Sequence, residues 1–214
     1  MCVMPHICCR DKNAIAMRSQ LLGAHINNIN NFLVITGDPI PSMVRSSVKS
    51  VFNFDSVGLM NIISDMNQDQ FADKPVIYGG AINQGRVNFK VELARVKKKM
   101  EAGATFFMTQ PVFSDEDISR LRQIKEETGA RILCGIMPFV SLRNATFMKN
   151  EMTGINVTDE ILARYSADMT KEEGEETGIQ IAKEIITKTS DFVDGYYFSF
   201  PFNRVHMLEK ILNA

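Results

Sequence analysis

Short runs of apolar and β-branched residues recur along the chain, and each leads into a polar loop and then into a segment with helical spacing. Because no hairpin signal joins one run to the next, we expect parallel strands linked by helical crossovers. Six runs predict strands, at residues 3–8, 32–36, 75–79, 105–109, 131–137 and 196–200.

Segments with the start and stop signals of helices lie between these runs. Residues 84–102 carry an apolar stripe at helical spacing and end at Gly103, which is typical of a helix stop. Residues 114–128 begin with Ser114 as a capping residue and end at Gly129, which predicts a second helix. The stripe in the first segment consists of Phe89, Leu93, Val96 and Met100. The acidic run at residues 171–176 predicts the start of a solvated helix.

The strand count leaves two architectures open. Six βα units fit an open doubly wound sheet, whereas a closed (β/α)8 barrel has eight strands and typically about 250 residues. The chain has 214 residues, so a barrel would lack about two βα units. The interval between the last two runs is long enough for two helices.

Composition and charge exclude several classes of function. The 24 basic and 25 acidic residues give a net charge of −1, which offers no patch for nucleic acid or an anionic membrane. No apolar stretch is long enough to span a bilayer, and the start lacks the pattern of a signal peptide. Four cysteines and three scattered histidines predict neither a disulfide scaffold nor a metal site. We therefore expect a reduced, cytoplasmic protein.

The candidate chemistry lies just after each predicted strand, where parallel α/β proteins place their sites. These positions hold amide, carboxamide, carboxylate and guanidinium groups, without a Schiff-base lysine or a Gly-x-Gly-x-x-Gly motif. Such a set suits a large polar heterocycle and a phosphate-bearing cofactor, so redox chemistry with an organic cofactor is the leading hypothesis. Each residue also has a structural reading: Asp38 is a good turn residue, and the polar stripe Asn88, Glu92, Arg95 and Lys99 is typical of a solvent-facing surface. The positions are His6 with Cys8 and Cys9, then 36–39, 79–83, 109–111, 138–139 and 203–204.

Four motifs in order then resemble the methylenetetrahydrofolate reductase family over nearly the whole chain. They are Pro-His-Ile-Cys-Cys-Arg-Asp-Lys-Asn at 5–13, Ile-Thr-Gly-Asp-Pro at 35–39, Gly-Gly-Ala-Ile-Asn at 79–83, and the segment 99–113 that contains Thr-Gln-Pro-Val-Phe; Phe-Asn-Arg follows at 202–204. The variants at 9–13 and 79–83 resemble the bacterial reductase domain that is fused behind a homocysteine S-methyltransferase module.

The resemblance implies a TIM barrel with non-covalent FAD, reduced by NADH or NADPH, that converts 5,10-methylenetetrahydrofolate to 5-methyltetrahydrofolate. Asp38 matches the family's catalytic aspartate beside flavin and pterin, and Gln110, Asn144 and Arg204 match or lie near substrate-binding positions. The cofactor-binding positions implied by the family are His6, Thr36, Gly37, Asp38, Asp55, Ser56, Asn83, Glu92, Arg95, Lys98 and Lys99. The family also implies a folate substrate, an upstream methyltransferase module as a partner and a homo-oligomer.

The resemblance begins at the family's third barrel strand. Residues 1–214 are therefore expected to form one partial barrel domain, strands three to eight, of an N-terminally truncated reductase. The family's general-acid glutamate belongs to the first strand and matches no residue here, which predicts weak turnover by the chain alone. Two alternatives stay open: a flavin- or folate-binding module without catalysis, and another parallel-barrel enzyme such as a lyase or aldolase.

Overall fold

The computed structural model describes residues 2–152 and 154–213 as an α/β fold. The strands are β1 (His6–Cys8), β2 (Asn31–Ile35), β3 (Ile77–Ile82), β4 (Phe106–Pro111), β5 (Ile132–Ile136) and β6 (Gly195–Phe198). The helices are α1 (Ala14–Ile26), α2 (Ser56–Gln68), α3 (Phe89–Glu101), α4 (Asp115–Thr128), α5 (Leu142–Glu151), α6 (Asp159–Leu162), α7 (Lys171–Thr189) and α8 (His206–Leu212), with short 3-10 turns at Ser42–Val44 and Pro201–Asn203.

Each of the six predicted runs overlaps a strand, and the strand order is β1-β2-β3-β4-β5-β6. The pairs β1-β2, β2-β3 and β5-β6 are parallel, with Cys8 opposite Ile35 and Gly135 opposite Tyr197. A doubly wound sheet reverses its order at a switch point, whereas a barrel wall adds strands in sequence. The strand order therefore decides between the two architectures in favour of the barrel type.

The ends of β3 and β4 correct the sequence prediction. The prediction ends the third strand at Gly79, whereas both Gly79 and Gly80 lie inside β3, and Gln110 lies inside β4 rather than in the loop that follows. A Cβ atom on Gly79 would lie 2.4 Å from the ring of Phe106, and one on Gly80 would lie 3.0 Å from Cδ of Lys99. These glycines thus permit close packing against the strand, which the sequence pattern cannot distinguish from loop punctuation.

The helix boundaries agree with the capping signals more closely than with the periodicity. Helix α4 follows Ser114, whose Oγ accepts from the Asp117 main-chain nitrogen at 3.0 Å, and it ends at Gly129 with φ +67°. Helix α3 begins at Phe89 rather than at 84, because the Asn88 side chain accepts from the Val91 nitrogen at 3.3 Å.

The last predicted crossover is longer and more complex than expected. It contains three helices, α5, α6 and α7, instead of two. The acidic run does begin a helix, because Thr170 and Glu173 form a reciprocal capping box at the start of α7. The additional helix thus comes from the segment between 152 and 170, where no strong periodicity is present.

The chain divides into two compact units. Unit 1 comprises the residues up to Ala81 together with Ala94–Phe107, and unit 2 comprises Ile82–Leu93 together with the residues from Met108 onward. The core of unit 1 includes Met17, Leu21, Phe32, Val34, Leu59, Ile63 and Phe71, and that of unit 2 includes Leu121, Ile124, Ile132, Cys134, Ile136, Phe139 and Ile179. None of the helices in the described part of the chain is long and apolar enough to cross a membrane.

Candidate functional site

In unit 1, a glycine turn at the carboxyl end of β2 presents Asp38. Gly37 has φ +94°, and a Cβ atom there would lie 2.1 Å from Sγ of Cys8 and 3.2 Å from Cβ of Arg10. The Arg10 guanidinium donates to the main-chain oxygen of Asp38 at 3.4 Å. The exposed Asp38 carboxylate accepts no hydrogen bond from residues 2–152 or 154–213, so it is available to a ligand.

The next loop brings the start of α2 to the same strand end. The main-chain nitrogen of Ser56 donates to the Thr36 hydroxyl at 3.0 Å, and Ser56 is buried. Asp55 caps the helix by accepting from the nitrogens of Val57 and Gly58 at 3.0 and 3.1 Å. Thr36 and Asp55 therefore hold the start of α2 beside β2, and between them they accept from the main-chain nitrogens of its first three residues.

The predicted cationic surface of α3 is only partly exposed. Arg95 is partly exposed, with its Nη1 atom 3.9 Å from Oδ2 of Asp55, and Lys98 is exposed. Lys99 is buried, and its ammonium donates to the main-chain oxygen of Ala81. Two of the three cations thus face outward, whereas the third fixes the end of β3.

In unit 2, Glu92 has a similar internal role. It is 2% exposed, and its Oε1 atom accepts from the Asn83 main-chain nitrogen at 2.9 Å, while Oε2 lies 3.1 Å from Nε of Arg86. The Oδ1 atom of Asn83 is buried without a hydrogen-bond partner in the described ranges. Because buried acceptors are normally paired, Asn83 is a candidate contact for a ligand donor. The solvent-facing reading of the polar stripe is wrong for both Glu92 and Lys99.

Gln110 has a fixed main chain and an uncommitted side chain. Its neighbours Thr109 and Pro111 are buried, and the strand alternation places the Gln110 side chain on the other, half-buried face. Its main-chain nitrogen donates to Oε1 of Gln84 at 3.1 Å, and its main-chain oxygen accepts from Nε2 of Gln84 at 2.9 Å. The Gln110 carboxamide has no partner within the part of the chain that the structure describes.

Gln84 is a residue that the sequence reading missed. It is fully buried, yet nothing in the local pattern distinguishes it from the other polar residues of the 83–88 loop. A glutamine two residues after the end of the glycine-containing strand β3 is the only signal that the sequence offers. Its contacts with Gln110 join residues 26 positions apart, so they become visible only in the folded chain.

The remaining substrate-binding predictions have internal partners. Asn144 lies in the first turn of α5, which Ser141 caps: the Asn144 nitrogen donates to Oγ of Ser141 at 3.2 Å, and Oδ1 of Asn144 accepts from the Val140 nitrogen at 3.4 Å. Arg204 forms an ion pair with Glu175. A hydrogen bond from His206 and the Arg204 guanidinium hold the pKa of Glu175 below its usual range.

One predicted residue remains to be placed. His6 is the first residue of β1 and is exposed. No hydrogen bond or ion pair joins it to the other residues that the structure describes. The His6 side chain is therefore available to a ligand, as the Asp38 carboxylate is.

Comparisons with known proteins give the family. The methylenetetrahydrofolate reductase family model matches residues 1–213. A curated relative, the 5,10-methylenetetrahydrofolate reductase of Salmonella typhimurium strain LT2, is 24% identical over 98% of this chain and 69% of its own length.

Solved structures share the fold at low sequence identity. A protein from Clostridium thermocellum, described as binding two copies of 5-methyl-5,6,7,8-tetrahydrofolic acid, aligns with a TM-score of 0.51 and 13% identity over 97% of this chain and 91% of its own. A 2,3-dimethylmalate lyase of the PEP mutase/isocitrate lyase superfamily aligns with a TM-score of 0.52 and 11% identity over 99% of this chain and 56% of its own. With the family model matched from residue 1 to residue 213, the chain belongs to the methylenetetrahydrofolate reductase family.

Proposed function

We propose that this chain catalyses, or supplies most of the site for, the FAD-dependent reduction of 5,10-methylenetetrahydrofolate to 5-methyltetrahydrofolate by NADH or NADPH. The observation that carries the proposal is the family match over residues 1–213. The uncommitted side chains of Asp38 and Gln110 support it, because both stand at positions that the family uses. A structural neighbour that binds 5-methyltetrahydrofolate supports a folate as the ligand.

The residues fit a flavin dinucleotide. In unit 1, the outward cations Arg95 and Lys98 suit a diphosphate. In unit 2, the unpaired buried oxygen of Asn83 suits a donor on the cofactor. The residues that would hold FAD are His6, Thr36, Gly37, Asp38, Asp55, Ser56, Asn83, Arg95 and Lys98, whereas Glu92 and Lys99 would act through Asn83 and the end of β3.

When bound, FAD supplies hydride transfer between the nicotinamide and the folate. The Asp38 carboxylate favours positive charge near it, and it would therefore stabilise the cationic iminium form of the substrate. The Gln110 carboxamide can donate and accept together, which suits the amide edge of a pterin ring. The proposal assigns the general acid to no residue of 1–214, because the glutamate that the family uses matches none of them.

Separate half-reactions test the proposal. The purified chain is incubated with FAD, and its visible spectrum is followed on addition of NADH or NADPH and then of 5,10-methylenetetrahydrofolate. We expect bound flavin that bleaches with the nicotinamide and slowly regains its colour as 5-methyltetrahydrofolate forms. Asp38→Asn should slow the folate step by about 10²-fold, a typical loss for a removed electrostatic group.

Asp73→Asn is the matched control, because Asp73 is exposed and is not one of the predicted site residues. It should leave both steps unchanged. A chain that binds no FAD contradicts the proposal. Bound flavin that no nicotinamide cofactor reduces would instead indicate a binding module without catalysis. An upstream methyltransferase module, a homo-oligomer and the lack of the first two barrel units remain predictions.

A further inference from the structure

We propose that Gln84 is a positioning residue for folate recognition: its carboxamide fixes the main chain of Gln110 and thereby sets where the Gln110 side chain meets the pterin. This inference rests on the proposed function, and it assigns a role to a residue outside the family motifs. The two residues lie 26 positions apart and both belong to unit 2.

The contact between the two glutamines uses both ends of one amide. Oε1 of Gln84 accepts from the Gln110 nitrogen at 3.1 Å, and Nε2 donates to the Gln110 oxygen at 2.9 Å and lies 3.3 Å from the oxygen of Pro111. A neighbouring strand would offer the same acceptor and donor from its peptide groups. The Gln84 side chain therefore acts in place of a strand at the end of β4.

Gln84 is itself held by α4. Nη1 of Arg120 donates to the main-chain oxygens of Gln84 and Arg86 at 2.8 and 3.1 Å. The same guanidinium carbon lies 5.4 Å from the centroid of the Phe89 ring, and Nη2 pairs with Glu116. Because its own backbone is fixed, Gln84 can transmit that position to Gln110.

The side-chain carboxamide of Gln110 does not take part in this network and has no partner in the described ranges. Thr109 adds a further donor to the Gln110 oxygen at 2.7 Å, so three donors and acceptors fix its peptide group. A carboxamide that must meet two atoms of a planar ring needs this placement, since about 1 Å of misplacement at a reacting site can cost about 10²-fold.

The test replaces Gln84 with methionine, which has similar length but no amide. Gln123→Met is the matched control, because Gln123 is an exposed glutamine of α4 whose contact is with Glu127. Amide hydrogen exchange at Gln110 is measured without ligand, and the Kd for 5-methyltetrahydrofolate is measured by titration calorimetry on FAD-loaded chain.

We expect Gln84→Met to lose protection at the Gln110 amide and to raise the Kd for 5-methyltetrahydrofolate about tenfold, while FAD retention stays at the parent level. Gln123→Met should match the parent in all three measurements. Unchanged exchange at Gln110 would overturn the proposed contact. Lost protection with an unchanged folate Kd would show a purely structural role and would also overturn the inference. If the parent chain itself binds no folate, the proposed function fails, and this outcome is distinct because it precedes any variant.

Discussion

Asp117 in unit 2 offers a measurable link between pH and stability. It is the third residue of α4 and is 1% exposed, and neither carboxylate oxygen has a hydrogen-bond partner in the described part of the chain. The adjacent Ser114 and the nearby Arg120 favour the ionised form, as does the positive end of α4. Burial outweighs them and raises the pKa of Asp117 from 3.8 to about 6.

The sign and size of the effect follow from linkage. The folded state binds the proton more tightly than the unfolded state, so this contribution to stability is complete below pH 3.8 and is lost as pH rises through about 6. A shift of about two pKa units corresponds to roughly 3 kcal/mol in the free energy of unfolding. Asp117→Asn carries no such titration. The stability of the variant minus that of the parent should therefore rise by roughly 2.4 kcal/mol between pH 4 and pH 7.5.

Urea unfolding of both proteins across that pH range measures this difference, and any fixed effect of the amide cancels because only the change with pH is used. Asp115→Asn is the control: its carboxylate is exposed and pairs with Lys188 at 2.7 Å, so its difference from the parent should vary by less than about 1 kcal/mol. Parallel pH profiles for Asp117→Asn and the parent would refute the argument that an unpaired buried carboxylate destabilises the fold at neutral pH.

Two further predictions concern the backbone turn and the thiols of the chain. Gly37→Ala should lower the free energy of unfolding by about 1–3 kcal/mol more than Gly129→Ala, since both glycines have positive φ but only Gly37 would place a Cβ atom against Cys8; equal losses in urea unfolding would contradict the packing argument. The Cys134 thiol, whose pKa burial raises to about 12, should resist an aromatic disulfide reagent at pH 8 until the protein unfolds, whereas the exposed Cys2 should react at once. Rapid reaction at Cys134 in the folded protein would show that its surroundings open readily.

Most of the fold follows from local pattern. The six strands, the caps at Ser114 and Gly129 and the acidic start of α7 are properties of short segments, so periodicity and capping chemistry reveal them. The errors at the ends of β3 and β4 share one cause. A glycine indicates a turn and close packing equally well, and only the neighbouring Phe106 ring decides between them at Gly79.

The candidate site, too, has features that the sequence shows and features that only the folded structure shows. The motifs that contain Asp38 and Gln110 are visible in the sequence, because residue type and order are sufficient to show the family. The sequence does not reveal that Lys99 and Glu92 are buried, that Arg204 pairs with Glu175 or that Gln84 holds Gln110.

The sequence by itself determined the alternation of strands and helices, the family and the residue types that a flavin and a folate would require. The tertiary structure alone decided the sequential order of the strands. It also decided which polar side chains bond to other residues of the chain and which are left available to a ligand. The physical reason is that a hydrogen bond or an ion pair depends on distance in space, and residues such as Gln84 and Gln110, which lie 26 positions apart, come within bonding distance only in the folded chain.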